Sequence, residues 1–327
     1  MTYEELQTLW TGGTPEIETR TSGSTGAPKS IRLPRALVRD SAWRTIRAFN
    51  LSRDSWLHSC LSPETIGGKM QCIRALELGA RFTHEPPSNT PLDWFGPRDW
   101  LSMVSVVPSQ VPHILDRLEQ GTLPLMEILL IGGAPLPEGV RKRLADSPIE
   151  AWESYGMTEC ASHIALRRVT SDEGLFRPLP GVEVSLTEKG CLCINLPGVP
   201  PMITNDLAEI TPGGFKILGR ADNVIISGGR KIIPEEIESL LSLPATECAV
   251  TSLPDDKWGE RVVVAVTSEE AHDGAARAIS GIEPHWKRPK EILTVTAIPL
   301  TPNGKIDRKA LKTEALKAGA TTSCPSQ

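Results

Sequence analysis

The sequence has no stretch of about 18 or more apolar residues, so nothing in it reads as a membrane-spanning helix. Its first residues, Met1-Thr2-Tyr3-Glu4-Glu5-Leu6, are acidic and carry no apolar signal core, which makes the cytoplasm the expected location. An excess of positive charge is missing too: 35 Lys and Arg against 40 Asp and Glu leave a formal net charge of −5. No basic field therefore argues for a nucleic-acid partner. The seven cysteines are scattered. Cys191 and Cys193 would share one face of a strand, and no second close pair completes a zinc site, so reduced thiols are expected. What remains, 39% hydrophobic and 23% charged residues over 327 positions, is ordinary for a soluble globular protein. That length can bury a large core and favours about two domains.

The most informative stretch is Arg20-Thr21-Ser22-Gly23-Ser24-Thr25-Gly26-Ala27-Pro28-Lys29-Ser30. Small residues let backbone N–H groups approach an oxyanion, hydroxyls add donors, and Lys29 brings positive charge, which is the chemistry of a phosphate-cradling loop. It is not a Walker A loop, because G-x-x-x-x-G-K needs glycine where Pro28 stands, and Pro28 disfavours helical geometry at Ala27. Ile17, Thr19, Ile31 and Leu33 flank it and predict a strand–loop–strand setting. A Ser/Gly surface linker would not need a lysine behind a proline or β-type flanks.

Residues 1–20 read as a short polar approach to this loop. Beyond it, helical and strand patterns alternate: a helix opened by Pro34, a strand over Trp56–Leu61, a helix from Ile66 to Gly79, and a strand at Arg81–Thr83. Strand and helix patterns follow at Met103–Val107 and Val111–Leu118, at Met126–Ile131 and Pro137–Leu144, and a strand at Ile149–Trp152 closes the series. Such alternation predicts an α/β fold with a parallel-rich sheet flanked by helices, whose ligands sit beyond the carboxyl ends of its strands. Gly132-Gly133-Ala134-Pro135 and Ser154-Tyr155-Gly156-Met157-Thr158-Glu159 read as loops there. From Gly181 short β runs predict a small antiparallel unit. After Arg220 the texture changes again, to a small α+β domain with helices from Pro234, Glu269 and Asp307 and strands over Cys248–Leu253, Val262–Thr267 and Ile292–Val295. The expected domains are 1–221, large, and 222–317, small, with 318–327 as a frayed tail.

Four further stretches share a chemical theme. Tyr155 to Glu159 offers an aromatic face for a base, a hydroxyl for a phosphate and a carboxylate for Mg²⁺. Thr204-Asn205-Asp206 places a carboxylate just ahead of a strand, suited to ribose hydroxyls. Gly219-Arg220-Ala221-Asp222 puts an arginine and a carboxylate at the domain boundary. Pro302-Asn303-Gly304-Lys305-Ile306-Asp307 presents a lysine on a turn. Singly, Tyr155 reads as core, Asp206 as a turn former, Arg220 as a surface ion pair and Lys305 as a solvated turn residue. Together, in this order beside the opening loop, they read as a nucleotide site.

These stretches resemble the acyl-adenylate-forming superfamily of acyl-CoA synthetases, luciferases and amino-acid adenylation domains, from Thr21 to Leu311. The resemblance implies ATP, Mg²⁺ and CoA as cofactors and a small-molecule carboxylate as substrate. It implies that the loop Thr21 to Lys29 holds the ATP phosphates and that Gly132, Gly133 and Ala134 lie beside the adenine with Tyr155, Gly156 and Met157. Thr158 is then expected on the phosphate, Glu159 on Mg²⁺, and Asp206 and Arg220 on the ribose and phosphate. Asp222 is the expected hinge, Lys305 the lysine needed for adenylation, and Gly228, Gly229, Arg230 and Lys231 the loop brought over the site for thiol attack. Within the superfamily, Leu61 to Met70, Tyr155 to Arg167 and Thr204 to Leu207 are similar to the o-succinylbenzoate–CoA ligases of menaquinone biosynthesis, in their short form. The Thr-Glu-x-x-Ser-His run carries most of that likeness. It implies Ser162, His163 and Lys69 as candidates for holding the second carboxylate of a dicarboxylic acid; solvation of Lys69 and packing of His163 are the alternatives.

Two departures stand out. Only a short segment precedes the phosphate loop, where typical members carry a whole subdomain; a homodimer is one arrangement that would supply the missing wall. Ser62-Pro63-Glu64-Thr65 also lacks the histidine of the usual Pro-x-x-His element. A CoA ligase for another aromatic or short-chain acid and a non-catalytic acyl-nucleotide binding relic are the alternatives. Lys305 and Glu159 argue against the relic, which has no chemical need for either. An amino-acid adenylation domain is disfavoured, with no carrier domain after Lys305 and no obvious amine-binding acid.

Overall fold

The computed structural model describes residues 1–20, 29–172, 174–301 and 305–322. Two compact units emerge, one formed mainly by Met1–Glu183 and the other mainly by Val184–Thr211 and the chain from Phe215 onward.

In the first unit, α1 (Tyr3–Thr11) opens the chain where a polar approach was expected. A capping box explains it: Thr2 Oγ1 accepts from Glu5 N at 3.2 Å and Glu5 Oε2 accepts from Thr2 N at 2.8 Å. Tyr3, Leu6 and Trp10 then fall on one buried face. An antiparallel ribbon follows, β1 (Glu16–Arg20) with β2 (Ser30–Pro34), in register from Glu16↔Pro34 to Arg20↔Ser30. The strand–loop–strand setting is thus present, while Thr21 to Pro28 lie outside the described residues.

The sheet elements are α2 (Arg35–Ala48), β3 (Trp56–Ser59), α3 (Ile66–Leu78), β4 (Arg81–His84), β5 (Trp100–Val106), α4 (Val111–Glu119), β6 (Leu125–Ile131), α5 (Glu138–Ala145), β7 (Ala151–Met157), β8 (Ser162–Arg168) and β9 (Arg177–Pro178). Strand order is β4-β3-β5-β6-β7-β8-β9; the first five run parallel and the last two antiparallel to their neighbours. Order reverses between β3 and β5, so right-handed crossovers send α3 to one face and α4 and α5 to the other. Val111, Ile114, Leu115 and Leu144 of α4 and α5 pack on Val104, Val106, Leu129 and Ile131 of β5 and β6. Thr65 caps α3 by accepting from Gly68 N at 3.2 Å, and Gly79 ends it at φ 64°.

In the second unit, β10 (Glu183–Leu186), β11 (Cys191–Asn195), β12 (Met202–Thr211) and β13 (Gly214–Arg220) form the small sheet in sequence order. Next come β14 (Ile225–Ser227), β15 (Arg230–Ile232), α6 (Pro234–Leu241), β16 (Cys248–Asp255), β17 (Gly259–Val266), α7 (Glu269–Ser280), β18 (Glu291–Thr294) and α8 (Arg308–Thr322). Strand order is β15-β14-β17-β16, with β18 parallel to β17. Period-two alternation sorts its two faces. Val250 and Val264 meet Ile237 of α6 and Ala275 of α7, whereas Ala249 and Ala265 meet Leu311 of α8. The last helix continues past Lys317 to Thr322; residues 323–327 lie outside the described residues.

Two readings of local structure are corrected. Tyr155, Gly156 and Met157 are the end of β7 rather than a loop, because β8 turns back and pairs with them. Asp206 lies inside β12 rather than ahead of a strand. In both cases a neighbouring strand supplies the pairing that the polar, glycine-containing local sequence does not signal.

Candidate active site

The first unit brings two of the expected stretches to adjacent strand ends. Gly132 to Ala134 follow β6 directly, and Thr158 and Glu159 form a 3₁₀ turn at the end of neighbouring β7. Gly156 is required by the path of the chain: a Cβ there would overlap Ser162 O and His163 Cα, and the β7–β8 register shifts at that point. Beyond the turn, Ala161 and Ser162 take φ values of 56° and 95°, a strained pair of non-glycine residues. Ser41 Oγ donates to Ala161 O at 2.7 Å and ties this turn to α2.

Beneath the two loops, Glu153 receives Arg141 at 2.7 Å and Arg167 at 2.8 Å, all three buried, and accepts from Leu136 N at 3.2 Å. One carboxylate so joins α5, β7, β8 and the segment after Ala134. Arg167 also lies 4.3 Å over the Phe176 ring, whose centroid is 5.7 Å from that of Tyr155. Tyr155 therefore stands against a supported aromatic wall. Lys29 is exposed just ahead of β2, and Glu159 is half-buried on its turn.

The residues expected to meet the acid separate into two groups. Lys69 is buried, but its ammonium donates to Pro63 O at 2.6 Å and Glu64 O at 3.0 Å, with its pKa lowered mainly by burial. It closes the loop ahead of α3. His163 is buried on β8 with Nε2 2.9 Å from Thr45 Oγ1. Burial first, then the charge of Arg74, hold its pKa well below 6.5, so the ring is neutral at neutral pH. Ser162 is half-buried beside it.

Arg74, on α3, escaped the sequence reading. It is 1% exposed, and burial pulls its pKa down to about 9. Nη1 donates to Gln71 Oε1 at 3.2 Å, while Nε and Nη2 have no hydrogen-bond partner among the described residues. Arg44 of α2 likewise has a buried Nη1 without a hydrogen-bond partner among the described residues. Buried guanidinium donors left unsatisfied are costly and mark a place where an anion fits. The available signal was an arginine inside the apolar run Cys72-Ile73-Arg74-Ala75-Leu76.

The second unit gathers the remaining candidates. Arg220, ending β13, donates Nη1 to Asp206 Oδ1 at 3.2 Å and takes Asp222 with Nε at 3.1 Å and Nη2 at 3.3 Å. Lys305 keeps solvent access; burial lowers its pKa, and the charges of Asp206 and Arg220 act on it in opposite senses. The Leu300↔Ile306 bridge and the bond from Thr301 N to Lys305 O (2.7 Å) hold it there. Gly228 and Gly229, at φ 56° and 74°, form the two-residue turn of the β14–β15 hairpin, which presents Arg230 and Lys231 exposed. Arg230 lies 4.7 Å over the Trp286 ring.

Residues 20–200 match the AMP-binding enzyme family, and residues 236–305 match the AMP-binding enzyme C-terminal domain. The 2-succinylbenzoate–CoA ligase of Lactococcus lactis is 29% identical, over 89% of this chain and 69% of that protein. The ligase of the same name from Listeria monocytogenes is 30% identical over 89% and 68%. Among solved structures, an acyl-CoA synthetase (AMP-forming)/AMP-acid ligase II-like protein from Dyadobacter fermentans is 31% identical, covering 94% of this chain and 91% of that one, with a TM-score of 0.60. The o-succinylbenzoate CoA synthetase of Bacillus subtilis, solved with its acyl-adenylate intermediate, shares the fold at 22% identity and a TM-score of 0.74, over 90% and 68%.

Proposed function

The chain belongs to the AMP-binding enzyme family, and from that premise we propose that it is an ATP-dependent, AMP-forming acid–thiol ligase acting on o-succinylbenzoate in menaquinone biosynthesis. The observation that carries the ligase reading is the gathering of Asp206, Arg220 and Lys305 from distant parts of the second unit. Sugar-binding carboxylate, phosphate-binding guanidinium and a lysine of lowered pKa are what an adenylating site has to bring together.

A carboxylate is a poor acylating agent because oxide leaves badly. In the first step a carboxylate oxygen attacks the α-phosphorus of ATP; the bond to the bridging oxygen breaks and pyrophosphate leaves with the electron pair. Acid and triphosphate repel each other, so alignment and positive charge are the protein's contribution. Lys305 is assigned to the oxygens around the α-phosphorus, Lys29 and the hydroxyl loop to the triphosphate, and Thr158 to a phosphate. Mg²⁺, which offsets triphosphate charge when bound, would be held by Glu159, an oxygen donor of the hard type it prefers. In the second step the thiolate of CoA attacks the acyl carbon and AMP leaves. Asp222 is assigned as the hinge through which the Gly228 to Lys231 hairpin replaces Lys305 between the steps.

Two things support a dicarboxylic acid. The relatives from Lactococcus and Listeria carry the 2-succinylbenzoate name, and Arg74, fully buried, holds two donors without a hydrogen-bond partner among the described residues. One carboxylate would be activated while Arg74, with His163 as a neutral neighbour, receives the other. The cytoplasm, where ATP and CoA are available, is the proposed compartment, and a homodimer the proposed assembly. The test is a coupled assay with ATP, CoA and o-succinylbenzoate, with the thioester detected by mass. Faster pyrophosphate release with benzoate or a fatty acid would overturn the substrate; no acyl-AMP with any acid would overturn the ligase.

A further inference from the structure

A second group of chemistry-bearing side chains has no part in the roles assigned above. His58, Cys60 and Glu85 are 1%, 0% and 5% exposed, and a nitrogen, a sulfur and a carboxylate oxygen from them lie within 4.8 Å of one another. Parallel pairing brings them together: His58 lies in β3, Cys60 just past its end, and Glu85 just past the end of β4. Their backbones are pinned, with Glu85 N donating to Ser59 O at 3.1 Å and Cys60 N to Ser105 O at 3.2 Å.

The imidazole is oriented by its other nitrogen. Nδ1 sits 2.9 Å from Thr83 Oγ1, which also accepts from Trp56 Nε1 at 2.8 Å. Thr83 Oγ1 can accept from Nδ1–H or donate to a bare Nδ1, and in the first tautomer Nε2 carries the lone pair that a metal takes. That Nε2 is buried and has no hydrogen-bond partner among the described residues, facing Glu85 Oε1 at 3.9 Å. The Phe95 ring packs edge-on against His58 at 4.8 Å, and Glu85 Oε1 is steadied by Leu92 N at 2.8 Å. A cleft of about 490 Å³ is lined by Trp56, His58, Thr83 and Phe95.

We propose that His58, Cys60 and Glu85 form a binding site for a zinc-class divalent cation that ties the end of β3 to the end of β4. Imidazole, thiolate and carboxylate form a donor set suited to zinc and unsuited to Mg²⁺. Tetrahedral ligation separates such donor atoms by roughly 3.3–3.6 Å, so donors that lie within 4.8 Å of one another must close by no more than about 1.5 Å. Three protein donors leave a fourth tetrahedral position for water.

The test uses the full-length chain, stripped with a chelator and titrated with cobalt(II) and then zinc. A sulfur-to-cobalt charge-transfer band should saturate at equimolar metal and vanish when zinc displaces cobalt. It should be absent in Cys60→Ser, weakened in His58→Gln and retained in Cys193→Ser. No band, or a band that survives Cys60→Ser, overturns the proposal. If Cys60→Ser does not fold, X-ray absorption at the zinc edge of the wild-type chain decides instead. A single sulfur in the inner shell supports the site; a shell without sulfur, or with several, overturns it. None of these readouts depends on ligase turnover, so the result stands whatever the acid substrate proves to be.

Discussion

Arg220 holds Asp222 through two nitrogens, at 3.1 and 3.3 Å, while a third reaches Asp206 at 3.2 Å. One guanidinium thus links a strand carboxylate to the residue assigned as the hinge. Lysine cannot reproduce that fork, being a single point charge. Arg220→Lys should lower kcat/KM for ATP about 10- to 100-fold, the loss of a charge-assisted hydrogen bond of about 1.5–3 kcal/mol. Steady-state kinetics with varied ATP checks this; an unchanged KM would remove Arg220 from nucleotide binding.

Lys305→Ala should reduce acyl-AMP formation by about 10²–10³, the scale for removing one preorganised charge from a developing anion. Thioester formation from supplied acyl-AMP should be nearly unaffected. Because the lysine pKa is lowered, the adenylation rate of the wild-type chain should decline on the alkaline side before the ordinary lysine range, and Lys305→Arg should move that limb upward. Pyrophosphate release measured across pH reads both.

Arg74 is expected to cost stability and contribute to binding. Arg74→Met removes a buried charge that is mostly unpaired among the described residues, so the melting temperature should hold or rise. The KM for o-succinylbenzoate should rise by at least about 30-fold, the lower end of losing a buried partner of a carboxylate at about 2 kcal/mol or more. A melting temperature several degrees lower with unchanged KM would make Arg74 purely structural.

His163 sets an acid limb on stability. Its folded pKa is lowered well below 6.5 by burial and by Arg74, so below pH 6.5 the unfolded chain binds a proton that the folded chain refuses. Its contribution is fully present above the unfolded pKa and falls by up to about 1.4 kcal/mol per pH unit below it, until the folded pKa is reached. His163→Gln should flatten that slope in urea unfolding followed between pH 7 and about pH 4.5.

Gly156→Ala should destabilise the chain by about 1–3 kcal/mol, since its methyl group meets backbone across the β7–β8 pair and no side chain can yield. Thermal unfolding measures it. A neutral result would mean the two strands part there easily.

Much of the fold was legible locally. Pro34, Thr65 and Gly79 punctuate helices by their own backbone preferences, and the strand–helix alternation implied a parallel-rich sheet whatever the details of packing. The nucleotide candidates were legible because phosphate and ribose chemistry needs glycine, hydroxyl and charge at short spacing. Helix α1 was not, since its polar composition hides the three apolar residues that it buries, which matter only once a surface is there to cover. The strand character of Tyr155 to Met157 and of Asp206 was hidden for the same reason: the partner strand decides it.

By itself, then, the sequence determined the order of elements, the family resemblance and the residues expected to contact ATP, all of which follow from short-range preferences and contiguous motifs. Only the tertiary structure decided that Lys69 is engaged by carbonyls of its own loop, that Arg74 is buried with donors to spare, and that His58, Cys60 and Glu85 share one corner of the sheet. Burial and the partners of a charge are set by what packs around it. Those neighbours arrive from distant parts of the chain, where no local pattern records them.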